Sequence, residues 1–163
     1  MKHVVEMRAA DDSELGELLA AAYAELVVRY GAEGRSQVKE GAQYFVVLND
    51  ERQAVGCGAL QAFGVETEHA GDGEVKRMYV APDARGRGYA RALLAGLEET
   101  ARAAGHSALR LATGDRQPEA IALYESSGYT RTPPWGKYVN QPGTHCYAKV
   151  FGSNSTPSWS GQG

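Results

Sequence analysis

Hydrophobic and polar residues alternate at the start of the chain and then recur at helical spacing. The alternation from Val4 to Arg8 predicts a short strand, and Asp11 with Glu14 three residues later predicts a capping box at the start of a helix. Leucine and alanine residues recur three and four positions apart up to about Tyr30, which predicts one buried helical face. The polar stretch from Gly31 to Gly41 fits either a second short helix or a loop over a binding cleft.

The middle of the chain has the pattern of antiparallel strands. Tyr44 to Leu48 and Ala54 to Phe63 are rich in apolar and β-branched residues, and the polar turn residues between them predict a β-hairpin. Gly64 to Gly73 has no periodicity and contains several acidic residues, which is typical of a turn. This turn leads to another strand, Glu74 to Val80, which we expect to be antiparallel to its predecessor.

The second half of the chain alternates between helices and strands. Apolar residues from Ala90 to Ala104 mark an amphipathic helix that ends at Gly105, and a strand from Ala108 to Ala112 follows. A strand, a helix and a strand in this order form a right-handed crossover, so the strands on either side of the helix should be parallel. The remaining predicted elements are a helix from Pro118 to Gly128 and two final strands, Tyr129 to Thr132 and His145 to Phe151.

Length and composition indicate one globular domain. The chain has 163 residues, of which 43% are hydrophobic and 23% charged, and this is enough to bury a core without disulfides or metal ions. We expect a single domain over residues 1–151, followed by a flexible Ser/Gly-rich tail over residues 152–163.

Charge, cysteine spacing and hydropathy exclude several classes of function. A net charge of -3 argues against broad nucleic-acid or membrane-surface binding. Cys57 and Cys146 form no metal-binding or disulfide pattern, which favours a reducing cytoplasm and no metal. No apolar run approaches the ~20 residues that a membrane helix needs.

A loop of glycine and arginine precedes the helix that begins near Ala90. Its sequence is Arg85-Gly86-Arg87-Gly88-Tyr89-Ala90. The unpaired N–H groups at the start of a helix can bind a phosphate, and glycine, which has no side chain, allows the phosphate to approach the backbone closely. The arginines add positive charge and forked donors suited to phosphate oxygens. A dinucleotide fingerprint would need glycine where Arg91 stands, and the Gly-Lys-Ser/Thr ending of an ATP-binding loop is absent.

Three segments carry a resemblance to the GCN5-related N-acetyltransferase (GNAT) superfamily. The loop matches its R-x-x-G-x-A signature, the strand Glu74 to Val80 followed by Ala81-Pro82 looks like its fourth strand, and Gln117 to Tyr129 is similar to its N-x-x-A-x-x-L-Y-x-x-x-G-F segment. This resemblance implies an α/β fold with a mixed, mostly antiparallel sheet, helices on both faces and a parallel strand pair splayed for acyl-CoA. Two departures are Gln117, where the family often has asparagine, and Tyr129 for phenylalanine, which looks conservative.

The resemblance also implies how the cosubstrate, acetyl-CoA, would bind. Its pantetheine arm would lie beside Met78, Tyr79 and Val80 like an added strand. The backbone amides from Arg87 to Ala90, helped by Arg85, would contact the pyrophosphate. Gln117 would stand where the family places a side chain that hydrogen-bonds to pantetheine.

Acyl transfer to an amine needs a base, an oxyanion donor and an acid. By resemblance Tyr124 is the general acid for the coenzyme A sulfur, although it also fits a core tyrosine. Glu74 is the leading candidate base, but it also fits an exposed carboxylate at a strand end or an anion that binds substrate. A backbone N–H near Met78 or Tyr79 is the expected oxyanion donor. Tyr79 and the four histidines are backup candidates for the base. The histidines, His3, His69, His106 and His145, have no metal spacing and are otherwise expected to be structural or at the surface. Cys57 is expected to be a core residue and not a nucleophile.

The favoured function is an acetyl-CoA-dependent N-acetyltransferase acting on a primary amine of a small molecule. Acetylation of a protein N-terminus or lysine, and a non-catalytic acyl-CoA sensor, are the alternatives. The Pro133-Pro134 turn with Trp135 and Tyr138 either walls the acceptor pocket or forms a rigid connection. The resemblance implies a homodimer, and neither nucleic acid nor membrane is expected as a partner.

Overall fold

A computed structural model describes residues 3–31 and 41–152 of the chain. Most of the polar stretch expected to be a helix or a loop, residues 32–40, and the tail from residue 153 lie outside the described residues. The strands are β1 (Val4–Arg8), β2 (Gln43–Leu48), β3 (Ala54–Ala62), β4 (Gly73–Val80), β5 (Ala108–Gly114), β6 (Thr130–Thr132) and β7 (Thr144–Val150). The helices are α1 (Ser13–Tyr30), α2 (Tyr89–Ala103) and α3 (Pro118–Ser126), with 3-10 turns at Pro82–Ala84 and Gly136–Asn140.

The strands form one mixed seven-stranded sheet in the order β1-β2-β3-β4-β5-β7-β6. The β2–β3 hairpin and the pairs β1–β2, β5–β7 and β6–β7 are antiparallel, whereas β4 and β5 are parallel. The predicted fold class is therefore confirmed, including the parallel pair that the crossover through α2 requires. This parallel pairing is confined to two residue pairs, Gly73 with Leu109 and Glu74 with Arg110.

Backbone contacts divide the described residues into two compact units. The first contains residues 3–31, 41–61 and 75–97, and the second contains residues 62–74 and 98–152. That residues 1–151 form a single domain therefore remains a prediction.

The two faces of the first unit's strands are packed by different helices. Under α1, a hydrophobic cluster combines helix residues with strand residues, namely Leu15, Leu18, Val46, Leu48 and Cys57. On the α2 side, β4 and α2 lie so close to Gly56 of β3 that no side chain fits there. A Cβ atom added to Gly56 would lie 3.0 Å from the Tyr79 carbonyl oxygen and 3.2 Å from Leu93 Cδ1. Glycine at this position of β3 allows β4 and α2 to approach together.

The start of α1 differs from its prediction. Asp12, not Asp11, is the N-cap residue, and its Oδ2 accepts a 2.9 Å hydrogen bond from the Leu15 amide. Glu14 does not reach back to complete a capping box but accepts hydrogen bonds from the Ala54 amide and from Arg8. The helix starts at Ser13, so only the residue directly before it can cap the amide of the third helical residue.

In the second unit, β5 pairs with β7 over its whole length and α3 covers one face of the pair. The Tyr147 hydroxyl, whose side chain is almost fully buried on β7, donates a 2.8 Å hydrogen bond to Glu125 on α3. On α3, Tyr124 is buried, while Ala120, Ile121 and Leu123 are half-buried. The strand β6 starts one residue later than expected, because the Tyr129 amide instead bonds to the Tyr124 carbonyl at the end of α3.

Candidate active site

The glycine loop lies between the 3-10 turn at Pro82–Ala84 and the first residue of α2, Tyr89. Gly86 and Gly88 have φ values of +80° and +87°, a left-handed backbone that other residues adopt only at a cost. Arg85, Gly86, Arg87 and Gly88 are all exposed. The first amides of α2 have no partner within the helix, so this segment has the geometry of an anion-binding turn.

Arg85 uses its guanidinium within the first unit. Its Nε donates a 2.8 Å hydrogen bond to the Val80 carbonyl, and one Nη forms a 2.8 Å ion pair with Glu25 of α1. The guanidinium also lies 5.5 Å from the centre of the Tyr79 ring. Arg85 therefore joins the end of β4 to α1, and its expected contact with phosphate stays a prediction.

The end of β4 contains a backbone feature that sequence reasoning missed. Arg77 has a φ of +60° inside the strand, an uncommon conformation for a long side chain. Such a residue bends a strand locally and changes the direction of the neighbouring peptide groups. Arginine has no preference for this conformation, so no sequence signal marks it.

The predicted pantetheine-binding residues follow this bend. Met78 points toward the α2 side, where its Sδ would lie 2.8 Å from a Cβ atom on Gly58. Tyr79 packs against the hydrophobic cluster under α1. Burial raises the pKa of its hydroxyl, the charge of Glu25 raises it further, and Arg85 lowers it. Val80 is buried, and its carbonyl accepts the hydrogen bond from Arg85.

The two predicted proton-transfer residues both belong to the second unit. Glu74 is 6% exposed and stands beside Arg110 in the parallel register. Tyr124 is 5% exposed, and its ring meets Tyr129 edge-on at 6.0 Å between centroids. Burial raises the pKa of the Tyr124 hydroxyl above its ordinary value, so the hydroxyl keeps its proton at neutral pH.

The side chains of Glu74 and Tyr124 lie on opposite faces of the sheet. Side chains alternate along β5, and Tyr147, which bonds to α3, stands opposite Leu111, one residue beyond Arg110. Arg110 and its register partner Glu74 thus lie on the face that α3 leaves uncovered. Burial raises the pKa of the Cys146 thiol, and the charge of Glu74 raises it further.

Gln117 precedes α3 as its N-cap residue, but its side chain makes no capping hydrogen bond. Its backbone carbonyl accepts bonds from the Ala120 and Ile121 amides, and its own amide bonds to Gly114. The carboxamide is therefore not needed to start the helix.

Trp135 is buried in an aromatic cluster of the second unit. Its ring meets those of Phe63, His69 and Tyr138 at right or steep angles, with centroids 5.6 to 5.9 Å apart. Arg110 lies 5.9 Å from the Trp135 ring centre and forms a 2.8 Å ion pair with Asp72. These contacts hold the segment between β6 and β7 against the turn that precedes β4.

Neither a membrane-crossing helix nor a metal cluster occurs in the part of the chain that the structure describes. No described helix is long and apolar enough to span a bilayer. No group of three or more His, Cys, Asp or Glu side chains among residues 3–31 and 41–152 could hold a metal ion. Cys57 is fully buried, and burial raises the pKa of its thiol to about 12. Such a thiol is a poor nucleophile.

The described residues form a mixed sheet with a short parallel pair, β4 and β5, and the glycine loop follows β4 at the start of α2. Residues 9–129 match the Acetyltransferase (GNAT) family, so the chain belongs to this family. An IAA acetyltransferase from Azospirillum brasilense is 47% identical over 98 residues, which cover 60% of this chain and 61% of that protein. The chain thus spans between about half and three fifths of the length of the curated relatives it matches.

Solved structures are similar over nearly the whole chain. A candidate acyl-CoA N-acyltransferase from Klebsiella pneumoniae is 31% identical, with a TM-score of 0.76 over 91% of this chain and 97% of that one. A GNAT superfamily phosphinothricin acetyltransferase from Sinorhizobium meliloti, in complex with AcCoA, is 21% identical, with a TM-score of 0.68 over 93% and 90%. The latter similarity shows a shared fold.

Proposed function

We propose that this protein transfers an acetyl group from acetyl-CoA directly to a primary amine of a small molecule. The observation that carries the proposal is the left-handed glycine loop at the start of α2, directly after β4. Family membership supports acetyl transfer, and the Sinorhizobium meliloti neighbour contains AcCoA.

The donor would be held mainly by backbone groups. The amides from Arg87 to Ala90 would bind the pyrophosphate, and Met78 and Val80 would pair with pantetheine along β4, whose pairing with β5 ends at Glu74. Arg85 would act chiefly by fixing the end of β4, because two of its nitrogens already bond within the first unit. Gln117 would offer pantetheine the carboxamide that does not cap α3.

The chemistry would be a direct transfer with one base and one acid. Glu74, directly or through water, would remove a proton from the acceptor ammonium, and the amine nitrogen would form a bond to the thioester carbon. A backbone amide near Met78 or Tyr79, reoriented by the bend at Arg77, would stabilise the oxyanion. The nitrogen would lose its second proton to water, the oxyanion would re-form the carbonyl as the carbon–sulfur bond breaks, and the leaving thiolate would take the Tyr124 proton, which solvent replaces.

A small acceptor agrees with the burial of the proposed base. Only 6% of Glu74 is exposed, so a slender amine would reach it more readily than a folded protein surface would. The placement of Glu74 and Tyr124 on opposite faces also suits a reaction in which the acceptor amine approaches from one side and the thiolate leaves on the other.

Two measurements test this function. Calorimetry should detect acetyl-CoA binding to the full chain, and a panel of polyamines, amino acids and amino sugars should yield at least one acceptor by thiol release. Tyr124→Phe should keep acetyl-CoA affinity within about twofold and lower kcat by about 10²-fold or more.

Tyr44→Phe is the matched control, because Tyr44 is a partly buried tyrosine that packs against the α1 cluster. It should leave kcat unchanged. Absence of acetyl-CoA binding would refute the function. Unaltered kcat in Tyr124→Phe would refute the acid role, and binding without turnover of any amine would instead indicate a sensor.

A further inference from the structure

The peptide between Arg87 and Gly88 has an orientation that the loop alone does not fix. Gly86 and Gly88 stand on either side of Arg87, with φ values of +80° and +87°. Glycine has access to several backbone regions of similar energy, so a peptide next to it can rotate at low cost. An amide binds a phosphate best when it already points toward the ligand site. Otherwise part of the binding free energy is used to order the peptide, and the affinity is lower.

His3, far away in sequence, contacts this peptide. Its Nε2 lies 2.9 Å from the Arg87 carbonyl oxygen. A carbonyl oxygen only accepts, so Nε2 carries the proton and donates. The imidazole also packs on the Tyr89 ring, with centroids 4.2 Å apart and planes tilted by 37°. Its Nε2 would be 3.6 Å from a Cβ atom on Gly88. One side chain thus contacts Arg87 and Tyr89 and lies next to Gly88 between them.

The planarity of the peptide turns this contact into a constraint on the next amide. In a trans peptide the C=O and N–H groups point in opposite directions, and the structure contains no cis peptide in the described residues. While His3 holds the Arg87 carbonyl, the Gly88 N–H is held pointing away from His3. We propose that His3 is a positioning residue that fixes the Gly88 amide for the cosubstrate pyrophosphate, an inference that rests on the proposed acetyl-CoA-dependent function.

Removing the imidazole tests this role. His3→Ala should raise the Kd of acetyl-CoA by about three- to tenfold, the range expected for one hydrogen bond. The value of kcat at saturating acetyl-CoA should stay within about twofold. His3→Gln, whose carboxamide N–H can donate to the same carbonyl, should restore most of the affinity.

A truncated donor separates positioning from a general loss of structure. S-acetylpantetheine lacks the pyrophosphate, so its KM should be the same for His3→Ala and the parent protein. An equal rise in KM for both donors would show that His3 is merely structural and would overturn the inference.

The control is His106→Ala. His106 also places an imidazole nitrogen against a backbone carbonyl, with Nδ1 3.3 Å from the Gly71 oxygen, but this contact lies in the second unit. The acetyl-CoA affinity of His106→Ala should equal that of the parent protein. If the parent protein fails to bind acetyl-CoA, the proposed function fails; if the parent binds and His3→Ala binds equally well, only the role of His3 fails.

Discussion

At the scale of single residues, Arg77 and Arg85 have roles that their residue type does not reveal. Arg85 belongs to the motif that suggested phosphate binding, yet its guanidinium bonds to Val80 and Glu25. Arg77 belongs to no motif, yet its φ of +60° bends the strand where the oxyanion donor is expected. Backbone strain of this kind costs about 1–3 kcal/mol and persists only where surrounding contacts enforce it.

The strain at Arg77 predicts a difference between two substitutions that both remove the guanidinium. Arg77→Asn should be tolerated better than Arg77→Ile, because asparagine adopts the left-handed region more readily than a β-branched residue does. We expect Arg77→Ile to be less stable than Arg77→Asn by about 1 kcal/mol or more in urea unfolding. Equal stabilities would show that the bend is not retained in solution.

At the scale of secondary-structure elements, α3 is anchored at its C-terminal end by a buried polar network. The Tyr129 hydroxyl donates a 2.8 Å hydrogen bond to Glu98, which also pairs with Lys149 at 3.2 Å. Lys149 Nζ donates to the Ser127 carbonyl as well, at 3.1 Å. Tyr129 therefore does more than replace a phenylalanine, since its hydroxyl donates a hydrogen bond to a buried carboxylate while its ring packs edge-on against Tyr124.

Tyr129→Phe should consequently be destabilising although it preserves the ring. The change leaves Glu98, which is 8% exposed, with one donor fewer, and the loss should be about 1–3 kcal/mol. Equilibrium unfolding measures this, with Tyr44→Phe as the comparison expected to change stability by less than about 0.5 kcal/mol. A neutral Tyr129→Phe would mean that Lys149 alone satisfies the carboxylate.

At the scale of the whole molecule, stability should fall in mildly alkaline solution. Burial raises the pKa of Cys57 from 9.0 to about 12, and the pKa of Cys146 shifts in the same direction. Above pH 9 the unfolded chain releases these protons while the folded chain keeps them. The contribution of Cys57 to the free energy of unfolding is therefore complete below pH 9 and is lost as the pH rises toward 12, by at most about 1.4 kcal/mol per pH unit. The contribution of Cys146 falls in the same direction.

Unfolding measured between pH 8 and pH 10 checks this linkage. Cys57→Ala should flatten the decline, and Cys57→Ala/Cys146→Ala should nearly remove it below pH 10, where the tyrosines begin to titrate. An unchanged slope in the double variant would mean that other groups cause the alkaline loss.

Much of the fold is predictable from the sequence because its signals are local. Periodicity marks the strands and α2, the crossover through α2 requires the parallel β4–β5 pair, and glycine permits the positive φ values found at Gly86 and Gly88. The motifs also suffice to identify the family. Boundaries are less accurate, as the cap of α1 at Asp12 shows, since neighbouring aspartates differ only in their geometry.

The tertiary structure decided which of the predicted site residues form other hydrogen bonds and which of them lie together. The bonds of Arg85 to α1, the contact of His3 with the glycine loop and the opposite faces of Glu74 and Tyr124 all depend on residues distant in sequence. Their positions follow from strand register and side-chain packing, which no local pattern encodes. The sequence by itself thus determined the family and predicted a phosphate-binding loop, whereas long-range packing decided how that loop is held and how the proposed acid and base are separated.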